Sequence, residues 1–459
     1  MDTIQLYALI LFPFSFWFIF RSKVPFNQFF GILFILLHEG LIQILLSTSL
    51  FAAYKMATFP LVGILLIIAS KNRQKFRINQ GLSFPGFKWF FLYSIILLSS
   101  AVMNETSIRD VISYYRITLL SYSILIVFYN YRLSDKRMMQ LYIFFERFVI
   151  VQIVAAFVKF NFMGFNEKIV GTISQFGGAT ATIFSLMIVS LLFCTYIFYK
   201  RDKKYLFWIL IFLVFPVVNM KRATWFFLPV IIFTSYIYFI HYYGVGIRSS
   251  IRKLLFFLGI AVAIFYVGAR INPTLNPEKR VWGSFDLTFI MDYASSYNYD
   301  EEFEQRTGLV KGRWAGLKFA FLESIAERPS MNTFFGYGME KFIGASHGTP
   351  FFRDLGIQSK GSMTGIIYVL WSTGILAVFA LLFFYGQFIV KIRKMRKYTH
   401  NKMDHLLIFI SSIWVLIILI DYISYTTAFI NNLQLNIIFF AVIALTLRKK
   451  GIALDKIVK

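Results

Sequence analysis

Stretches of about 20 apolar residues recur along this chain, and that is the length an α-helix needs to cross a bilayer. They fall near 3–20, 28–49, 52–70, 87–103, 111–129, 139–159, 179–199, 205–220, 224–243, 253–270, 362–389, 405–423 and 427–446. The sum is about thirteen spans, or about twelve to fourteen, because the second and third runs nearly fuse and the last two lie close together. The composition agrees: 58% of residues are hydrophobic, 20% aromatic and only 15% charged. A transmembrane barrel would show short segments of alternating polarity instead. The expected fold class is therefore an all-α polytopic membrane protein.

The formal net charge is +25. In a soluble chain that would point to nucleic acid. Here the basic residues gather between the apolar runs, as the positive-inside rule requires, so no nucleic-acid partner is expected. The clusters are Arg21/Lys23, Lys71/Arg73/Lys75/Arg77, Arg132/Lys136/Arg137, Lys200/Arg201/Lys203/Lys204, Arg248/Arg252/Lys253, Lys391/Arg393/Lys394/Arg396/Lys397 and Arg448/Lys449/Lys450. Each follows an odd-numbered span. All then face the cytoplasm, with the N-terminus outside and the C-terminus inside. The first apolar run starts near Met1 without a basic leader, so it is expected to be kept as a span rather than cleaved. Cys194 is the single cysteine, which excludes an intrachain disulfide.

The chain divides at a long polar interruption. Residues 1–270 form an expected N-terminal bundle of about ten spans. Residues 271–361 form one large external loop, and 362–459 hold the last spans and a cytoplasmic tail. Within the loop, 312–327 has helical periodicity. Trp314, Leu317, Phe321 and Ile325 share one face; Arg313, Gly316, Ala320, Glu323 and Glu327 share another. Pro329 ends the helix. The expected arrangement packs the aromatic face on the bundle and turns the small-residue stripe toward a ligand.

Charges that break the topology rule are the candidate site residues. Lys221 and Arg222 lie in the tight turn between the eighth and ninth spans, on the side where basic residues are disfavoured. They are either an interfacial snorkelling pair or an anion site. Arg116 lies inside the fifth span, where it needs a partner or water. Arg313 stands at the start of the loop helix, whose positive end also attracts anions. Arg306 follows an acidic group, Asp300-Glu301-Glu302-Phe303-Glu304, that is either solvated or partnered with the arginines. Gly336-Tyr337-Gly338 reads as a turn, and His347 has the pKa range of a general base. His38, Glu39, Lys55 and Glu146/Arg147 are expected to be paired within the bundle. Asp421, near the end of the twelfth span, has no assigned role.

The order Arg313-Trp314, Pro329, Phe335-Gly336-Tyr337-Gly338, His347 within one late external loop resembles the O-antigen polymerase and O-antigen ligase superfamily of bacterial membranes. Lys221-Arg222-Ala223-Thr224-Trp225 is similar to that family's earlier arginine at the end of a span. The resemblance implies a metal-independent, inverting membrane glycosyltransferase without a cofactor. Its donor would be an oligosaccharide on a polyprenyl (undecaprenyl) diphosphate carrier, with a glycan acceptor and a chain-length regulator protein as partners. It would sit in the bacterial inner membrane, with the loop in the periplasm. Arg222 and Arg313, with Arg116, Lys221, Arg306 and Tyr337, would bind diphosphate and glycan, and His347 would be the base. Ligases commonly carry Asn after the histidine. Gly348-Thr349-Pro350 here favours a repeat-unit polymerase over a ligase that transfers glycan to lipid A-core or protein. A lipid-linked oligosaccharide flippase is the alternative of another class, and it would need ionisable groups near the mid-membrane.

Alkaline phosphatase fused within 271–361 should be active in cells, and fused after Arg448 it should be inactive. The reverse pattern would overturn the side assignment.

Overall fold

The computed structural model describes residues 85–130, 135–166, 169–173, 178–200, 202–219, 221–244, 247–298, 300–307, 311–322, 330–342, 363–398 and 401–457. The expected spans at 3–20, 28–49 and 52–70 lie outside the described residues. So do His38, Glu39, Lys55, residues 323–329 of the expected loop helix, and His347.

Described residues in regular structure are helical, with no strand among them. The long helices are α1 (Phe87–Met103), α2 (Ile108–Asn130), α3 (Asp135–Met163), α4 (Gly178–Thr195), α5 (Lys203–Val218), α6 (Arg222–Tyr243) and α7 (Ile247–Ile271). The loop then forms α8 (Leu287–Asn298), α9 (Glu301–Thr307), α10 (Arg313–Phe321) and α11 (Met331–Phe335). The chain returns through α12 (Gly365–Thr373), α13 (Ile375–Met395), α14 (Lys402–Ile420), α15 (Ala428–Asn431) and α16 (Leu433–Ile457). Each of the ten apolar runs expected after residue 84 falls on helix. Among the described residues, five helical stretches suffice by length and composition to cross a membrane: Met139–Met163, Gly178–Phe198, Arg222–Tyr243, Ile375–Met395 and Lys402–Tyr425. Phe87–Met103, Leu258–Ile271 and Leu433–Leu447 are shorter apolar helices.

Packing follows from which helices are apolar all round. Helix α4 is buried along nearly its whole length and lies among α5, α6 and α14. A helix without a polar face belongs in the middle of a bundle. Helix α14 links this group to a second one, in which α1 packs on α13 and α2 on α16. Trp414 of α14 donates its indole N–H to the Met187 carbonyl at 3.1 Å, which satisfies the polar end of a buried ring. At the end away from the loop, Glu146 pairs with Lys204 at 3.0 Å and accepts from Tyr205. Its partners are thus on α5, two helices on, rather than the adjacent Arg147.

The expected span at 362–389, third from the end, is a broken helix over its described residues. Gly374 (φ 91°) separates α12 from α13, and α12 is buried throughout. Into this break fits the turn after α11. The Tyr337 N–H donates to the Trp371 carbonyl at 2.6 Å. The Phe335 carbonyl accepts from Ser100 Oγ and from Asn104 Nδ2 on α1. Tyr114 and Ser372 join their hydroxyls at 2.6 Å. Gly336 and Gly338 have φ of 72° and 97°, as the turn reading expects. A Cβ on Gly336 would meet the Ser372 carbonyl carbon at 2.5 Å, and one on Gly374 would collide with the Phe334 carbonyl. The loop is therefore clipped into the bundle through backbone groups that only glycine lets approach.

Gly374→Ala should destabilise the protein by about 2 kcal/mol or more, because it adds a forbidden backbone angle to a backbone collision. Thermal unfolding in detergent reads the loss directly. An unchanged midpoint would mean the clip is not needed.

Candidate functional site

The first turn of α6 opens the site. Helix α5 ends at Pro216 and Asn219, and the chain turns sharply into Lys221 and Arg222. The Lys221 N–H donates to the Pro216 carbonyl at 3.0 Å and lies 3.2 Å from the Asn219 side-chain oxygen. Beside it, the Asn166 N–H bonds to the Val218 carbonyl. Lys221 is only 9% exposed. A lysine so buried is not an interfacial snorkeller with its head in water, so the snorkelling reading fits it poorly.

Arg222 lies over the Tyr293 ring of α8 with its guanidinium carbon 5.0 Å from the centroid. Trp225, one turn on, is buried against Gly268 of α7, where any Cβ would strike the indole. With Ala269, Leu275 and Ile290 it forms a small separate core under α8. The turn below α8 is rigidified by Asn276, whose amide donates to the carbonyls of Arg270, Asn272 and Arg280 at 3.1, 2.9 and 2.9 Å. Glu278 in this turn pairs with Arg280 at 2.5 Å. Desolvation works against the charged carboxylate, but hydrogen bonds from Ser284 and Arg280 hold its pKa below the ordinary value.

The loop helix α10 brings the second arginine. Its buried positions are Gly316 and Ala320, while Trp314 is 55% exposed. The expected arrangement is met only in part: Leu317 and Phe321 of the aromatic face pack on the main core, but Trp314 is exposed and the small-residue positions Gly316 and Ala320 are buried as well. Small side chains let a helix approach its neighbours closely, and here those neighbours are α12 and the end of α14. Arg313, on the packed stripe, is thereby carried inward. Its guanidinium carbon lies 4.5 Å from the centroid of Tyr425.

Tyr425 ends a π-helical turn, Asp421–Tyr425, that continues α14. Such turns inside helices recur at functional sites. Asp421 is fully buried there, takes the Phe429 N–H at 2.7 Å, and lies in the electrostatic field of Arg313. Tyr425 also touches Thr182 Oγ1 at 3.1 Å and stacks edge-on against Phe227 at 5.2 Å. Phe227 is five residues from Arg222 on α6, about 7–8 Å along the axis. Helices α8 and α10 touch as well. Arg222 and Arg313 thus each lie over a tyrosine, but on different clusters: Tyr293 packs with the Trp225 core, and Tyr425 with Phe227 in the main core.

The other expected residues are distributed differently. Arg116 is half-buried on α2, whose main packing is with α16 rather than α6 or α10. Arg306 is exposed on α9. Asp300 forms a 2.5 Å ion pair with Lys311, closing the ends of the α9 segment on each other, so this acid is taken up structurally. Tyr337 belongs to the glycine clip. Asp421, Tyr425 and Tyr293 were not singled out by the sequence. An acid near the end of an apolar run was the only signal, and the two tyrosines are unmarked among 26.

Tyr425→Phe should leave α10 docked, since the ring under Arg313 remains. Tyr425→Leu should speed hydrogen exchange across 313–321 by about threefold or more, the loss of a cation–π contact of roughly 1 kcal/mol. Equal exchange in both variants would show that the stacking does not hold the helix.

A scan against protein-family models finds no match, and no curated protein matches the chain.

Proposed function

We propose that this protein is a membrane glycosyltransferase that acts as a polysaccharide repeat-unit polymerase, moving glycan from a polyprenyl diphosphate carrier onto a lipid-linked repeat. The observation that carries the reading is that Arg222 and Arg313 each lie face-on over a tyrosine, Tyr293 of a loop helix and Tyr425 of the bundle. Stacking uses the face of a guanidinium. Its N–H donors lie in the plane, and that fork geometry matches phosphate.

The chemistry asked of such a site is modest. The bond between the anomeric carbon and the diphosphate already has a good leaving group. What it needs is neutralisation of the charge that develops as the bond breaks, and preorganised cations in a water-poor site do this without reorganising. Arg222, Arg313 and the buried Lys221 are the groups for it. The acceptor hydroxyl attacks from the opposite face, its proton goes to a base, and the configuration inverts. His347, which lies outside the described residues, is the proposed base. The docked loop would orient two long glycans, and orientation is a large part of the rate. Lateral entry between apolar helices suits a polyprenyl tail.

Arg222→Ala and Arg313→Ala should each collapse the polysaccharide ladder in cells, with a loss of about 100-fold or more in transfer rate. Unchanged ladders in both would reject the reading. Purified protein given only lipid-linked repeat should lengthen it; activity that appears only after addition of lipid A-core would assign a ligase instead.

A further inference from the structure

Three hydrogen-bonding atoms are buried without a partner within seven residues at the α5–α6 turn: Asn219 Nδ2, Thr224 Oγ1 and Trp225 Nε1. Asn219 and Thr224 are 0% and 1% exposed. The Lys221 N–H on Asn219 Oδ1 decides which end of that amide is oxygen, so the orphaned end is the NH₂ donor. Each orphan costs about 1–3 kcal/mol unless something accepts from it. A cluster of such groups calls for an acceptor that the protein itself does not supply.

The surroundings say what kind. Asn219 and Thr224 bracket the start of α6, a 22-residue helix whose N-cap residue, Lys221, offers no side-chain cap. The first-turn N–H groups of a helix lack intrahelical partners and carry its positive end. Lys221 and Arg222 add two formal charges at the same point. Amide, hydroxyl, helix start and cations are all donors, and donors arranged so accept an anion.

We propose that this turn is a cradle for one phosphoryl group, with Asn219 Nδ2, Thr224 Oγ1 and the first-turn N–H groups of α6 as neutral donors and Lys221 and Arg222 as charges. The inference rests on the diphosphate reading above and divides that ligand: one phosphate sits at the α6 start and Arg313 faces the other. Asn219 and Thr224 are then positioning residues that fix where the phosphate lies. The two neutral donors also exact a stability cost in the empty protein that is recovered on binding.

That trade distinguishes the proposal from a structural role. Thr224→Val swaps the hydroxyl for a methyl of the same shape and removes an orphan. The purified variant should melt at the same temperature as wild type or higher, yet bind farnesyl diphosphate about tenfold or more weakly, the loss of one hydrogen bond to a charged group. Asn219→Asp, which keeps the oxygen for Lys221 and puts a carboxylate oxygen at the cradle, should weaken it further. Farnesyl monophosphate should lose affinity in parallel, farnesol should not respond, and inorganic pyrophosphate separates the anion from its lipid. If Thr224→Val melts lower, the hydroxyl is structural and the cradle is wrong. If Arg313→Ala weakens farnesyl diphosphate but both cradle variants bind like wild type, the cradle falls and the functional reading stands. If wild type binds neither farnesyl phosphate, both fall together.

Discussion

Much of this structure depends on one guanidinium being held against a ring inside an apolar bundle. Arg313 lies over Tyr425, and the buried Asp421 opens the same π-helical turn. A cation in this setting is tolerable only with an aromatic face or an acid at hand, and α14 supplies both from one π-helical turn. The extra residue in that turn re-aims Tyr425 toward Thr182, Phe227 and the loop at once. Without the stacking, α10 would be an amphipathic segment with several surfaces to choose from.

A second constraint works with the first. Backbone polar groups in an apolar bundle must find partners, yet the chain breaks between α12 and α13 and inserts a turn there. The break is tolerated because each freed group is paired. The Phe335 carbonyl takes Ser100 and Asn104, and the Trp371 carbonyl takes Tyr337. Glycines at 336 and 374 allow backbone to touch backbone. The loop is thus anchored twice, by the clip at α12 and by Arg313 at α14.

Against that economy, the α5–α6 turn stands out. Elsewhere some buried hydroxyls and amides are paired within the protein, as with Gln152 and Thr172 or Ser411 and Thr446, and those without a partner, at Ser235, Thr364 and Tyr422, stand apart from one another in sequence. At Asn219, Thr224 and Trp225 donors are left over, in a stretch that already carries Lys221 and Arg222. Excess donors and excess positive charge in one place are what the proposed anion chemistry asks of a site.

The all-helical, membrane-type fold was legible in the sequence, because hydropathy is a local property that the bilayer reads locally. The glycine turn was legible for the same reason. The face on which α10 docks was not. Its periodicity marks two stripes, Trp314 with Leu317 and Arg313 with Gly316 and Ala320, and both are plausible contacts. Packing on α12 and the end of α14 draws on both, burying Gly316 and Ala320 and seating Leu317 and Phe321 on the core while Trp314 stays exposed. Likewise Asp421, Tyr425 and Tyr293 have no local mark. They matter only because two helices distant in sequence end beside the loop, and proximity between distant segments is set by packing rather than by any one stretch of residues.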